Sequence, residues 1–296
     1  MRHPAAIALG GFLAVGLILG RADWLTVRDI ILGMDARYCD ECLWNRIHPA
    51  VPPTPNYLPP PRQRDWIKDD PIIIAHALAP IDGISINSRL ALGQVVARGF
   101  EVVEVDLSLT RDGHVICFHE DDRNVPPPEL STAAVATLPN GAQPCTLADL
   151  ISLARQIPRL RFIIDVKSRF NETYGRIQAE IADPDIGKQF IPQVYDFADI
   201  PTFRKAHFFA EPFFTSYRSP LSNREILHTA RVFDVDVVAM PVDRVKRIDH
   251  LPSDIRILVH PVDSLPLAKY LICQRKVYGI YTFSLTPSRH WRQRWC

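Results

Sequence analysis

Excess charge of one sign is missing from this sequence: 34 lysines and arginines stand against 33 aspartates and glutamates in 296 residues, a formal net charge of +1. Without a basic excess there is no electrostatic footprint for nucleic acid. Glycine is scarce at 13 residues, which excludes a collagen-like repeat, and an apolar content of 47% excludes a disordered chain. Six cysteines are too few for a disulfide-dense miniature protein. Cys117 and Cys145 lie far apart in sequence, so Cys39 and Cys42 are the one close pair and no framework is expected. That pair reads as a local disulfide or as free thiols, ahead of zinc, which would want a second pair at matching distance. Long apolar runs are absent after the first twenty residues, which excludes a polytopic membrane protein.

Residues 4–20, PAAIALGGFLAVGLILG, are uncharged and flanked by Arg2 and Arg21. This length lies between a signal-peptide apolar region and a full membrane span. Residues 1–22 are therefore expected to be a signal anchor or a signal peptide, with the uncleaved anchor favoured over cleavage or a buried core helix. Arg2 leans the orientation toward a domain outside the cytoplasm, periplasmic or extracellular, and secreted if the segment is cleaved. Residues 23–70 read as a linker carrying the Cys39/Cys42 pair. Its stretch 49–62 holds seven prolines and should form an extended spacer. Residues 289–296, RHWRQRWC, form a basic aromatic tail that is either solvated or laid on an anionic membrane surface.

Between them, residues 71–288 alternate short β-rich runs with helical patterns. The runs are 71–76, 101–107, 161–167, 190–195, 212–217, 236–241, 256–262 and 277–283, and the helix candidates are 88–98, 146–156, 172–182, 221–233 and 264–274. Thr146 and Asp149 open one of these helices with a capping-type pattern. Eight strand candidates joined by crossovers predict an α/β fold with a parallel sheet covered on both faces. A (β/α)8 TIM barrel fits the count, and an open doubly wound sheet is the alternative.

In such a barrel, chemistry gathers at the carboxyl ends of the strands. The first run ends in His76, the second in Glu104 and Asp106, the third in Asp165 and Lys167, and a hairpin-like run 114–118 leads into His119. Glu104 and Asp106 are two residues apart, so on a strand both side chains leave one face. Desolvating two adjacent carboxylates without a counter-charge is costly, and a divalent cation removes that cost. Oxygen ligands without cysteine favour a hard ion, Mg2+ or Ca2+. The alternatives are a solvated strand end, pairing with arginines, and, for each histidine, an ordinary core or surface role. Lys167 suits either neutralisation of Asp165 or an anionic substrate. Gln193, Tyr195 and His260 also stand at strand ends, where they line a pocket or serve packing and capping.

Taken together, the stretches Ile73-Ile74-Ala75-His76, Glu104-Val105-Asp106 running on to Gly113, Cys117-Phe118-His119 and Asp165-Val166-Lys167 resemble the glycerophosphodiester phosphodiesterase superfamily of phospholipase-C-like TIM barrels. The resemblance implies Glu104, Asp106 and Asp165 as metal ligands, His76 and His119 as the acid/base pair, and Lys167 on the phosphate, with Gln193 and Tyr195 as further candidates for substrate contact. Two positions depart from the pattern: the family's His-Arg is His76-Ala77 here, and its Pro-Glu-Asn falls on Ser85-Ile86-Asn87. The remaining set is similar to the sphingomyelinase D branch of the same superfamily. The expected function is a metal-dependent phosphodiesterase acting on a glycerophosphodiester or phospholipid head group, by hydrolysis or by forming a cyclic phosphate. Membrane association is expected through the N-terminal segment, and neither nucleic acid nor an obligate protein partner is expected. A catalytically silent barrel binding a phosphorylated ligand is the competing reading, with a purely structural membrane-proximal module behind it.

Overall fold

The computed structural model describes residues 66–67, 71–79, 83–119, 138, 141–287 and 295–296. The segment 1–22, Cys39, Cys42, the proline-rich stretch and most of the 289–296 tail lie outside the described residues. No helix among the described residues is long and apolar enough to cross a membrane.

The strands are β1 (Ile72–Ala75), β2 (Val102–Leu109), β3 (Val115–Cys117), β4 (Arg161–Val166), β5 (Phe190–Val194), β6 (Phe213–Thr215), β7 (Val237–Pro241), β8 (Arg256–His260) and β9 (Gly279–Thr282). All pair in parallel except β3, which runs antiparallel to β2 with Leu107 opposite Cys117. β1 pairs with both β9 and β2, so the eight parallel strands close on themselves and the barrel has no free parallel edge. The open-sheet alternative is excluded by that closure. β3 is the hairpin expected at 114–118. Its turn needs Gly113, whose φ of 83 lies where a side chain would be strained.

Strand parity divides the apolar residues into two sets. Ile73, Ala75, Val103, Val105, Phe162, Ile164, Val238 and Ile280 face outward into the main core beneath the helices. Ile72, Ile74, Val102, Ile163, Ile191, Phe213, Val237, Ala239, Leu258 and Tyr281 form a second cluster that fills the barrel. Trp66 joins that inner cluster, stacked at a tilt 5.8 Å from Phe213, with its indole N–H donating to the Glu211 carbonyl at 3.1 Å. It therefore plugs the amino end of the barrel, although in sequence it falls within the linker 23–70. Trp66→Ala should cost about 3–5 kcal/mol, read as a lower urea midpoint with the carboxyl-end site unaltered. An unchanged midpoint would show that the plug is dispensable.

The helices are α1 (Arg89–Val95), α2 (Leu147–Gln156), α3 (Phe170–Ile181), α4 (Pro184–Gly187), α5 (Ile200–Ala206), α6 (Asn223–Val232), α7 (Val242–Lys246) and α8 (Leu265–Lys269), the last continued by a π-helical turn at Tyr270–Gln274. The Thr146/Asp149 capping box opens α2 as expected, and a second one, Ser222/Glu225, opens α6. The short helices α4, α5 and α7 were not foreseen, because four to seven residues span too few turns for a 3.6-residue periodicity to show.

The expectation of no cysteine framework is corrected at two places. Cys117 bonds to Cys145, 28 residues away, because the chain returns to lay Cys145 beside β3, where its carbonyl accepts from the Cys117 N–H at 2.7 Å. Cys296 bonds to Cys273 in the π-helical turn, 23 residues away. No cysteine among the described residues is free.

Candidate active site

Because Val102 faces the barrel interior, parity turns Glu104 and Asp106 inward as well. The β2–β4 register sets Asp106 level with Asp165, so two carboxylates meet on neighbouring strands one step inside the rim. Glu104, Asp106 and Asp165 are each no more than 4% exposed. Each offers one oxygen, and these lie within 4.8 Å of one another.

The other groups arrange themselves around this triad. Lys167, one residue past β4, places its ammonium 2.9 Å from Asp106 and 2.7 Å from Asp165. Gln193 on β5 donates through Nε2 to Asp165 at 2.8 Å, and the Tyr195 hydroxyl donates to the same carboxylate at 2.7 Å. Tyr281 on β9 donates in turn to the Gln193 amide oxygen at 3.3 Å. Asn87 clasps Asp106 from both sides: its amide nitrogen donates to the carboxylate at 2.7 Å and its amide oxygen accepts from the Asp106 N–H at 3.2 Å.

His76 lies just beyond β1, where the chain makes an unusual turn. Ala77, Leu78 and Ala79 all adopt left-handed φ values, 45, 69 and 39, a conformation that costs residues with a side chain about 1–2 kcal/mol each. The Ala77 N–H donates to Glu104 at 2.7 Å, and the Ala77 carbonyl accepts from the Asn87 N–H at 3.1 Å. These bonds hold the turn and bring the His76 Nε2 to 4.0 Å from Glu104. The ring stacks on Phe283 at 4.3 Å and meets Tyr281 edge-on at 5.8 Å. The Phe283 segment is anchored by Asp263, which accepts from the Phe283 N–H at 2.6 Å and the Thr282 hydroxyl at 2.9 Å. His119 follows Phe118, whose N–H donates to the Asp106 carbonyl at 2.9 Å. It is near enough for its charge to act on both Asp106 and His76.

The electrostatics follow from burial and from the count of charges. Burial, reinforced by Asp106 and Asp165, pushes the Glu104 carboxyl well above its ordinary value. Burial also raises Asp165, against the pull of Lys167. Asp106 ends below its ordinary value, because Lys167 and His119 outweigh its desolvation. Burial alone would lower Lys167, and the two aspartates reverse that, so its pKa is raised. His76 is lowered to about 4, chiefly by burial, so its imidazole is neutral near neutral pH.

Eight of the residues singled out in the sequence (His76, His119, Glu104, Asp106, Asp165, Lys167, Gln193 and Tyr195) therefore stand at one end of the barrel. Gln193 and Tyr195 are bound to Asp165 rather than merely lining a wall. Sequence reasoning missed the clasp by Asn87 and the contacts of Tyr281 and Phe283 with His76, because these join residues far apart along the chain. His260 on β8 packs beside Tyr281 at 5.7 Å, with burial lowering its pKa to about 3 and its Nε2 without a hydrogen-bond partner among the described residues.

Three carboxylates lie around one ammonium, and burial together with Asp106 and Asp165 raises Glu104. An all-oxygen donor set of this size fits a hard divalent cation.

Residues 82–167 match the family model described as the glycerophosphoryl diester phosphodiesterase family. No curated protein sequence matches the chain. Among solved structures, a glycerophosphodiester phosphodiesterase from Parabacteroides distasonis is similar at 20% identity and a TM-score of 0.59, covering 73% of this chain and 94% of that one. A glycerophosphodiester phosphodiesterase from Agrobacterium tumefaciens shares 13% identity with a TM-score of 0.53, over 72% of this chain and 95% of its own. A phosphodiesterase from Oleispira antarctica, solved with the product sn-glycerol-3-phosphate, shares 15% with a TM-score of 0.53, over 72% and 93%. At such identities the likeness is one of fold. The family model thus falls on the segment that carries Glu104, Asp106 and Asp165, and the solved glycerophosphodiester phosphodiesterases are similar in their barrel fold.

Proposed function

We propose that the protein is a divalent-metal-dependent phosphodiesterase that cleaves a glycerophosphodiester or a phospholipid head group. The observation that carries this reading is the buried Glu104/Asp106/Asp165 triad, with oxygens within 4.8 Å of one another and the Lys167 ammonium between Asp106 and Asp165. These three side chains would hold Mg2+ or Ca2+, which when bound supplies positive charge where the phosphoryl oxygens gain negative charge in the transition state. The product found in the Oleispira antarctica enzyme supports a glycerol phosphate ester as the substrate class.

The chain's own residues divide the remaining work. Lys167, locked between Asp106 and Asp165, keeps both carboxylates in one orientation and presents its ammonium toward the phosphate. Tyr195 and Gln193 fix the Asp165 oxygens by donating to them. His76, neutral and held by Phe283 and Tyr281, accepts the proton of the attacking hydroxyl at a ring nitrogen, and His119 delivers a proton to the leaving oxygen; each such transfer is typically worth about 10²–10⁴-fold. The attacking hydroxyl is water for hydrolysis, or the substrate's neighbouring alcohol for cyclisation. Phosphorus NMR of the products separates a monoester from a cyclic phosphate.

His119→Ala is expected to lower turnover of glycerophosphocholine by at least about 10²-fold with an unchanged circular dichroism spectrum. Near-normal turnover in the folded variant would remove His119 from the reaction. A silent binding barrel has no need of two histidines beside an acidic triad, and it would show metal-dependent ligand binding without head-group release. We also infer that the barrel lies outside the cytoplasm. The two disulfides support an oxidising compartment, as does the apolar stretch 4–20, which offers a route of export or a membrane anchor.

A further inference from the structure

The ammonium of Lys167 is shared between two carboxylates, while a phosphodiester brings another negative charge to a site that already holds three carboxylates. A cation held by no carboxylate would add to what Lys167 offers the phosphate. Most arginines with a printed partner are committed elsewhere: Arg89 pairs with Asp149, Arg169 pairs with Glu172 and donates to the carbonyls of Leu109 and Thr110, and Arg244 donates to the carbonyls of Ser219 and Leu221. Arg218 is different. Its guanidinium carbon lies 5.4 Å from the centre of the Tyr195 ring, and among the described residues it makes no salt bridge or hydrogen bond.

Its position is built rather than incidental. Arg218 follows β6 at the carboxyl end of the barrel, in a turn closed by the Ser219 N–H donating to the Ser216 carbonyl at 3.1 Å. On one side the Ser216 N–H donates to the Ala239 carbonyl at 2.9 Å, extending the β6–β7 pairing. On the other, the Arg244 guanidinium grips the Ser219 and Leu221 carbonyls at 2.7 and 2.8 Å. The neighbouring Tyr217 leans on His260 with ring centres 5.6 Å apart. A turn fixed at both ends thus holds Arg218 over the phenol whose hydroxyl donates to Asp165 at 2.7 Å. A ring face beneath a guanidinium orients its plane and leaves its N–H groups free to donate outward.

We infer that Arg218 is the anion clamp of this site, donating hydrogen bonds to a non-bridging oxygen of the substrate phosphodiester while Tyr195 supports it from below. The inference rests on the phosphodiesterase reading and adds a substrate-contacting residue to it, in the turn after β6.

The test compares wild type with Arg218→Ala, Arg218→Lys and Arg218→Gln in two measurements on the full chain. The first is turnover of glycerophosphocholine with Mg2+ or Ca2+. The second is calorimetric binding of sn-glycerol-3-phosphate, which does not depend on turnover. Arg218→Ala should raise KM and the sn-glycerol-3-phosphate Kd by about 10- to 100-fold, the usual loss for a hydrogen bond to a charged group. Arg218→Lys should recover only part, because an ammonium cannot donate in the guanidinium's forked geometry. The side chain is exposed, so its removal opens no cavity; should the alanine variant fail to fold, the glutamine variant carries the same expectation. If wild type turns over and the folded variants keep KM and Kd within about twofold, the clamp is overturned and the phosphodiesterase reading stands. If wild type cleaves no phosphodiester yet binds sn-glycerol-3-phosphate through Arg218, the enzyme reading fails and the clamp stands. If wild type binds no anion, the clamp is overturned outright.

Discussion

Lys167→Met should unfold at a markedly lower urea concentration than wild type, with a loss of about 3–5 kcal/mol, the usual consequence of removing one partner from a buried ion pair. The side chain of Lys167 is 7% exposed and lies between Asp106 and Asp165. Without it three carboxylates remain in a desolvated pocket where burial and mutual repulsion already push Glu104 well above its ordinary value. The sign of the pH dependence follows. Asp106 and Asp165 raise the lysine's pKa above the ordinary 10.5, so its contribution is present in full below 10.5 and is lost only as pH rises through the higher folded value. The deficit of the variant should therefore persist through neutral and mildly alkaline pH and shrink toward acid, where the three carboxylates take up protons. Added Mg2+ or Ca2+ should restore part of the lost stability, since a bound cation takes over the missing charge. Turnover should fall by at least about 10²-fold. A variant as stable and as active as wild type would show that Lys167 is not the counter-charge of the triad.

Exhaustive chelation should bring phosphodiester turnover to background, and readdition of Mg2+ or Ca2+ should restore it; comparison of the two ions identifies the preferred one. The same loading should raise Tm, because a ligand that binds only the folded state stabilises it by mass action. Glu104→Gln is the sharper probe. It keeps the side-chain shape and removes one charge from the triad, and calorimetry should show divalent affinity down by at least about 10- to 100-fold, the range already seen when partners one step removed from a metal are lost. Full turnover after metal removal, together with no measurable cation binding to wild type, would remove the metal from the mechanism.

Much of the fold was legible because barrel strands declare themselves. Each of the eight runs is apolar on both faces, as a sheet covered on one side by helices and filled on the other must be. The polar residues that break those runs, His76, Glu104, Asp106, Asp165 and Lys167, stand out for the same reason, since an ionisable group at the end of a buried strand is costly unless something uses it. Short helices such as α4 and α7 left no periodic trace. The disulfides were missed because sequence separation says nothing of spatial distance: Cys117 and Cys145 meet only after the chain between them has folded back onto β3. Asn87 could not be recognised as the clasp of Asp106, for it sits in a loop whose course is set by the left-handed turn at Ala77.

By itself, the sequence determined the alternation of strands and helices, the shared face of Glu104 and Asp106 on β2 and the kind of chemistry at the strand ends, because these depend on local periodicity and on the cost of burying charge. Which groups meet was decided by tertiary structure alone. Closure of β1 against both β2 and β9 sets His76 over Glu104, the β2–β4 register levels Asp106 with Asp165, and the turn after β6 lays Arg218 on Tyr195. These are contacts between residues far apart along the chain, and their distances are fixed by strand register and barrel closure, which no local pattern encodes.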